Sequence, residues 1–295
     1  MTILSDAGLI AVDWGTTNRR VFVLDAHGQV VDRFTDGAGV LSILPNEFPD
    51  VIAMLRERCG KRPMLLAGMI GSNRGWVQAP YVDCPATVDA LRERLVAMDG
   101  DIQIVPGVCD RNDGRADVMR GEEVQLLGAL AAGMIGPDMQ ACHPGTHAKW
   151  VRLEAGALAA FRTVMTGEMF AILRRHSLLA GPLTGDVTPG AAFQEGVSIA
   201  FERRELLADL FAIRARTLLG TLAAEDVSSF GSGLLVGSDV AIGLDFIGPG
   251  AVALIGDPAL TRLYACALAL AGRQSQQLDG EAAFLAGIKA IAART

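Results

Sequence analysis

The sequence predicts an α/β protein made of two similarly built halves, and three observations carry that prediction. Aliphatic runs of strand length alternate with longer helical patterns along the whole chain. The first half reads as βββαβαβα. A short pattern around a Gly-Thr bend then recurs in the second half at a constant offset, with a strand before the bend and two after it. The 295 residues suit one large domain or two ordinary ones. The recurrence favours two, over residues 1–135 and 136–295.

The elements follow in order. Strands over Leu9–Val12, Arg20–Asp25 and Val30–Thr35 are joined as hairpins by the bend at Gly15 and by Ala26-His27-Gly28-Gln29. A helical pattern covers Glu47–Arg58, and an aliphatic strand covers Pro63–Gly68. A helix over Ala86–Met98, a strand over Ile102–Val108 and a helix over Gly121–Met134 close the first half. The second half adds helices over Glu168–Arg175, Gly190–Glu202 and Glu205–Leu219, then a strand over Ala251–Gly256. Helices over Pro258–Ala271 and Gly280–Ala293 complete it. Thr184–Gly190 is a turn-rich loop.

Composition narrows the function. Hydrophobic residues make up 51% and charged residues 20%, the balance of a well-packed soluble protein. With a formal charge of -7 and no Lys/Arg cluster, nucleic acid is not an expected partner. An anion can still bind where a few donors converge. The apolar tract Leu234–Gly256 is interrupted by Asp239, Asp245 and several glycines, which argues against a membrane span. Five scattered cysteines form no CxxC pair and no zinc-like spacing, and the first residues carry no leader signature. The expected location is cytoplasmic.

The recurring bend carries the chemistry. Asp13-Trp14-Gly15-Thr16-Thr17-Asn18-Arg19 lies over His143-Pro144-Gly145-Thr146-His147-Ala148-Lys149, so that Gly15 meets Gly145, Thr16 meets Thr146 and Arg19 meets Lys149. The same offset sets Val21 on Val151 and Gly37 on Gly167. A Gly-Thr turn between strands exposes successive N–H groups and a hydroxyl, donors suited to phosphate oxygens, and glycine lets an anion approach the backbone. Asp13 beside such a turn could hold magnesium through water. Ordinary hairpin turns with Asp and Thr capping nearby backbone are the competing reading.

Six stretches strengthen the phosphate reading: DWGTTNRR, AGMIGSNRGWVQAPYVDCP, DVMRGEEVQLLGAL, HPGTHAKWV, TGEMFAIL and GLLVGSDV. Together they resemble the 2-dehydro-3-deoxygalactonokinase family, within the sugar kinase, heat-shock ATPase and actin superfamily. The resemblance implies two duplicated ribonuclease-H-like, actin-like ATPase domains around a central cleft, clamping ATP between paired phosphate hairpins. It places Asp13, Gly15, Thr16 and Thr17 on magnesium and phosphate, and Gly145, Thr146 and Lys149 on the opposite phosphate loop. Gly256 and Asp257 would lie near the nucleoside. His143 stands where Asp13 stands in the first bend, so one magnesium site is expected, held by Asp13.

The acid that takes the proton from the sugar hydroxyl is expected where the last helix of the first half begins. Asp117, Glu122 and Glu123 qualify by position, with Asp117 and Glu122 the first choices. Complementing the helix N-terminus is the plainer role for all three. Gly68–Tyr81 resembles a substrate loop, in which Ser72, Asn73, Arg74, Trp76 and Gln78 offer polar and aromatic groups. Arg74 and Arg120 are the candidate cations for a keto-acid carboxylate. Trp76 also fits a packing role. The expected activity is ATP-dependent phosphorylation of the 6-hydroxyl of 2-dehydro-3-deoxy-D-galactonate, with a small sugar acid, ATP and magnesium as partners. The chain would be a monomer or homodimer with no membrane partner. A phosphohydrolase of the same superfamily and a non-enzymatic nucleotide switch are the alternatives.

Overall fold

A computed structural model of the chain describes residues 8–111 and 114–293. The residues before Gly8, where a leader signature was sought, lie outside the described ones. The chain forms two compact units. The first comprises Met1–Pro137, Glu154–Ala160 and Glu281–Thr295; the second comprises Asp138–Leu153 and Phe161–Gly280.

The first unit opens with β1 (Leu9–Trp14), β2 (Arg19–Leu24) and β3 (Val30–Asp36), an antiparallel meander close to the predicted hairpins. Helix α1 (Phe48–Cys59) follows, with a proline in its first turn and Phe48, Ile52 and Leu55 buried. Strand β4 (Met64–Gly68) is buried throughout and lies parallel to β1. After it come β5 (Tyr81–Asp83), α2 (Val88–Glu93), β6 (Val96–Ala97), β7 (Ile102–Ile104), β8 (Gly107–Asp110), β9 (Asp117–Met119) and α3 (Glu122–Ala131). The larger sheet runs β3-β2-β1-β4-β7-β6, and a smaller one runs β5-β8-β9.

Two predictions for this stretch are corrected. The helix expected over Ala86–Met98 is confined to Val88–Glu93, with the residues after it pairing as β6. The strand expected over Ile102–Val108 divides between two sheets, as β7 and β8. Pro106 stands at the division, where it can donate no ladder hydrogen bond.

The chain continues with β10 (Gln140–His143), β11 (Ala148–Glu154) and β12 (Ala157–Val164), then helices α4 (Thr166–His176), α5 (Ala191–Arg203), α6 (Leu206–Leu218) and α7 (Val227–Phe246). Strand β13 (Val252–Gly256), α8 (Pro258–Leu270), β14 (Ser275–Asp279) and α9 (Gly280–Ala292) end it. The five-stranded sheet has the order β12-β11-β10-β13-β14. In both larger sheets the opening strand pairs antiparallel with the next strand and parallel with a later one. The fold is therefore α/β with mixed sheets.

Helix α7 and strand β14 were not predicted. The segment Ala224–Phe246 is apolar and long enough to cross a membrane by length and composition, yet 83% of its most apolar window is buried. It is the central helix of the second unit. There Phe193, Val197, Val240, Leu254 and Leu268 form one core around Trp150, while Leu183, Ile213, Phe230 and Leu234 form another. The core of the first unit gathers Trp14, Phe48, Met64, Leu66 and Ile104. Helix α9 contributes to the first unit, with Phe284 against Phe22 at 5.7 Å between ring centroids.

Candidate active site

The turn between β1 and β2 is built on backbone hydrogen bonds. Gly15 N–H donates to the Asn18 carbonyl at 2.9 Å, and the carbonyls of Gly15 and Thr16 accept from Val40 and Leu41 at 3.1 and 3.2 Å. Gly39 makes this return possible, because a Cβ there would stand 2.3 Å from the Thr17 carbonyl carbon. Thr16, Thr17 and Asn18 are left exposed. A hollow of about 320 Å³ opens here, lined by Asp13, Gly15, Thr16, Thr17, Arg20 and Thr35. Asp13 is cross-strand partner of Arg20, which donates to its carboxylate. Arg19 instead turns inward: it pairs with Asp36 at 2.6 Å and lies over the Trp14 ring.

The predicted substrate loop follows β4. Ser72 is buried, and its hydroxyl is engaged in the loop itself, donating to the Met69 carbonyl at 2.7 Å and accepting from Arg74 N–H at 3.2 Å. Trp76 packs on the first core and stacks on Phe48 at 6.4 Å, which is the packing role weighed for it. Asn73, Arg74 and Gln78 are exposed. Arg120 runs beneath the loop, buried, with one nitrogen donating to the Ala79 carbonyl at 2.9 Å and its guanidinium 4.6 Å from the Tyr81 ring centroid. Its Nε and Nη1 are buried without a hydrogen-bond partner.

The acids at the start of α3 occupy three different settings. Asp117 is half-buried and accepts from Val118 N–H at 2.8 Å. Glu122 is also half-buried and reaches back to accept from Arg120 N–H at 3.1 Å. Glu123 is fully buried and accepts from Gly121 N–H at 2.6 Å, while its second oxygen has no partner. Burial, reinforced by the neighbouring Glu122 charge, pushes the Glu123 carboxyl up to about 8.

The second bend, His143 to Ala148, is cradled by the first turn of α4. Glu168 N–H donates to the Thr146 carbonyl at 2.9 Å, and the Glu168 carboxylate meets the His147 ring at 2.6 Å. Gly167 lies so close to the bend that a Cβ would come within 2.6 Å of the Gly145 carbonyl oxygen. Gly37, set over Gly167 by the sequence offset, makes no such approach, because a Cβ there would meet nothing within 4 Å. In the first hairpin Asp13 pairs with Arg20, whereas in the second His143 pairs with Lys149, so the constant offset slips by one residue within the bend and Lys149 stands where Arg20 stands. Lys149 is buried, and its Nζ donates to the His147 carbonyl at 3.1 Å. Gly256 adjoins the bend, with its Cβ position 3.5 Å from the Pro144 carbonyl. The Asp257 carboxylate caps α8, accepting from Ala259 and Leu260 N–H at 2.8 and 3.2 Å.

Within the first unit, Asp13, Gly15, Thr16 and Thr17 thus share one hollow. Within the second, Gly145 and Thr146 follow β10, and Gly256 and Asp257 lie at the end of the neighbouring parallel strand β13, with Gly256 against Pro144 of the bend. Sequence reasoning passed over Arg20. The signal was available: counting back along the hairpin sets Arg20 opposite Asp13, on the same face. It also passed over Asp239, whose burial inside an apolar helix no local pattern announces. A further hollow of about 500 Å³ lies along α4, lined by Gly167, Phe170, Arg174, Arg175 and Leu183.

Comparison with known proteins supplies the class first: the chain is a kinase, a phosphotransferase. A model of the 2-keto-3-deoxy-galactonokinase family matches residues 13–291, and the chain belongs to that family. It is 38% identical over 289 residues to the 2-dehydro-3-deoxygalactonokinase of Escherichia coli K12, covering 97% of this chain and 98% of the relative. A crystal structure from Sinorhizobium meliloti, described as a 2-dehydro-3-deoxygalactonokinase protein, matches with a TM-score of 0.87 at 35% identity, over 96% of this chain and 98% of that one. Component A of the (R)-2-hydroxyglutaryl-CoA dehydratase of Acidaminococcus fermentans shares the fold alone, with a TM-score of 0.52 at 13% identity over 95% of each chain.

Proposed function

We propose that this kinase transfers the γ-phosphoryl group of ATP to the 6-hydroxyl of 2-dehydro-3-deoxy-D-galactonate. The observation that carries the site assignment is the hollow at the first turn, where exposed backbone, two threonine hydroxyls and the Asp13–Arg20 pair converge. Phosphoryl transfer needs in-line positioning and neutralised charge more than covalent help. Thr16 and Thr17 in the first unit, and Gly145 and Thr146 in the second, are the phosphate donors in this reading, while Gly15, whose N–H is taken by the Asn18 carbonyl, shapes the turn. Lys149 acts through the second turn, whose His147 carbonyl it holds. Gly256 and Asp257 flank the nucleoside. The duplicated ribonuclease-H-like plan, drawn at residues 1–135 and 136–295, is supported by the matching order of the two larger sheets, although Glu154–Ala160 and Glu281–Thr295 fall in the first compact unit.

The residues fit one magnesium ion. Asp13 lines the hollow as a carboxylate, and magnesium commonly takes one or two carboxylates and keeps much of its water. Among the described residues no group of three or more His, Cys, Asp or Glu side chains could hold a metal. Bound at Asp13, the ion would neutralise phosphate charge. Arg20 orients the Asp13 carboxylate and adds a positive charge at the mouth of the hollow.

In the reaction the sugar 6-oxygen forms a bond to the γ-phosphorus as the bond to the β,γ-bridging oxygen breaks, leaving ADP. The hydroxyl proton passes to Asp117 or Glu122. Arg74 and the unpartnered donors of Arg120 serve the keto-acid carboxylate, with Ser72 and Trp76 shaping the loop and Asn73 exposed upon it. Five free cysteines accord with a cytoplasmic enzyme. Incubating the protein with ATP and a panel of keto-deoxy sugar acids, with mass detection of product, tests the activity. Phosphorylated sugar acid should form in step with ADP. Release of free phosphate instead would favour a phosphohydrolase, and no turnover on any member would reject the substrate class.

A further inference from the structure

The second unit contains a buried carboxylate that the reaction does not use. Asp239, in α7, is 1% exposed and accepts three hydrogen bonds from three other elements. Trp150 Nε1, from β11, donates at 2.7 Å, Thr166 Oγ1, from α4, donates at 2.5 Å, and the Tyr264 hydroxyl, from α8, donates as well. One helical turn further along α7, Gly243 makes room for the same indole, because a Cβ there would stand 2.0 Å from the Trp150 ring. Burying an acid in a helix otherwise rich in apolar residues is costly unless its oxygens are well bonded.

The three donors share a destination. Trp150 lies on the strand that leaves the His143–Ala148 bend, and Tyr264 lies on the helix that starts beside Gly256 and Asp257. Thr166 is the first residue of α4. The next residue, Gly167, presses on the Gly145 carbonyl, and the one after it, Glu168, donates its N–H to the Thr146 carbonyl. Thr166 and Trp150 thus stand within two residues of segments that form or cradle the bend, and Tyr264 lies on the helix that begins beside it.

We propose that Asp239 is a positioning residue for nucleotide binding: through Thr166 it fixes the first turn of α4 against the Gly145–Thr146 bend and so sets the bend's backbone N–H groups for phosphate. This rests on the reading of that bend as a phosphate turn. A purely structural tie would lower stability without distinguishing between the two substrates. A positioning tie acts on ATP.

Steady-state kinetics on Thr166→Val and Thr166→Ser separates these roles, because valine removes the donor at similar volume and serine keeps it. The expected result for Thr166→Val is an approximately tenfold rise in KM for ATP, the scale of one hydrogen bond to a charged group. The KM for the sugar acid should stay within about twofold, and Thr166→Ser should return the ATP value to within about twofold of the parent. Asp239→Asn should shift the ATP value in the same direction. Leu234→Ala, a core truncation in α7 away from the bend, should lower the melting temperature and leave both KM values near the parent's. Equal changes in both KM values, no change in either, or an ATP-selective effect of Leu234→Ala would overturn the proposal. Calorimetry on Gly145→Val tests the underlying reading separately. If Gly145→Val weakens ATP binding and Thr166→Val does not, the positioning role alone fails. If folded Gly145→Val binds ATP normally, the phosphate-turn reading fails with it.

Discussion

Asp13 and Gly145 occupy comparable bends, and each role follows from what the residue touches. Asp13 faces a hollow with Arg20 on its carboxylate, so its charge is oriented toward space a ligand can enter. Asp13→Asn keeps the shape and removes the charge. Turnover should fall by at least about a hundredfold, roughly 2.7 kcal/mol of transition-state stabilisation, with the fold intact. Near-normal turnover at saturating magnesium would take Asp13 out of the mechanism. At Gly145 an added Cβ meets nothing within 4 Å, so Gly145→Val should fold. Its side chain would project where an anion approaches the backbone. Calorimetric titration should therefore show weaker binding of ATP and ADP, a smaller effect on AMP and none on the sugar acid. Equal weakening of every ligand, accompanied by a lower melting temperature, would return the bend to an ordinary turn.

At the scale of elements, the start of α3 concentrates the chemistry. Asp117 and Glu122 are half-buried on either side of Arg120 and Gly121, whereas Glu123 is sealed from solvent. Kinetics on Asp117→Asn and Glu122→Gln should show one variant losing about 10²- to 10⁴-fold in kcat with ATP affinity retained, the usual contribution of a general base. Full activity in both would place the base elsewhere. This junction was legible in the sequence because an acidic pair follows a glycine ahead of an apolar run. Strands β1, β2 and β4 and helix α1 were legible for similar reasons of pattern. The misses have physical causes. Helix α7 is buried around most of its circumference, so it shows little periodicity, and its glycines read as breaks although they meet other chain segments closely. Strand β14 is the polar edge Ser-Gln-Gln-Leu-Asp, which carries no apolar alternation. The fit of α9 beside β2 depends on a contact between residues far apart in the chain, beyond any local signal.

For the molecule as a whole, stability should rise as the solution becomes mildly acidic. Each unit carries a fully buried carboxyl that burial makes reluctant to ionise: Glu123 is pushed up to about 8, and Asp239 to about 6 despite its bonds to Thr166, Tyr264 and Trp150. In the unfolded chain both return to ordinary carboxyl behaviour, so between the unfolded and folded values folding takes up protons. Stability then increases as pH falls, and each contribution is complete below the unfolded value. The opposite sign applies to Asp83, held low by the Cys109 thiol and Arg111, and to Asp245, held low by Arg204. These exposed groups lose their small contribution only at strongly acid pH. The thermal midpoint of unfolding should therefore climb from about pH 8.5 to about pH 5 and fall again below about pH 4. The formal charge of -7 adds a general relief of repulsion on acidification, so the parent profile alone does not identify the group. Glu123→Gln does. It removes the titrating proton in a similar shape and should flatten the climb between about pH 8.5 and 6, and below about pH 6 it should leave only the shallower climb that Asp239 contributes. An unaltered slope in Glu123→Gln, or a parent midpoint that falls on acidification from about pH 8.5 to 6, would contradict the buried-carboxyl account.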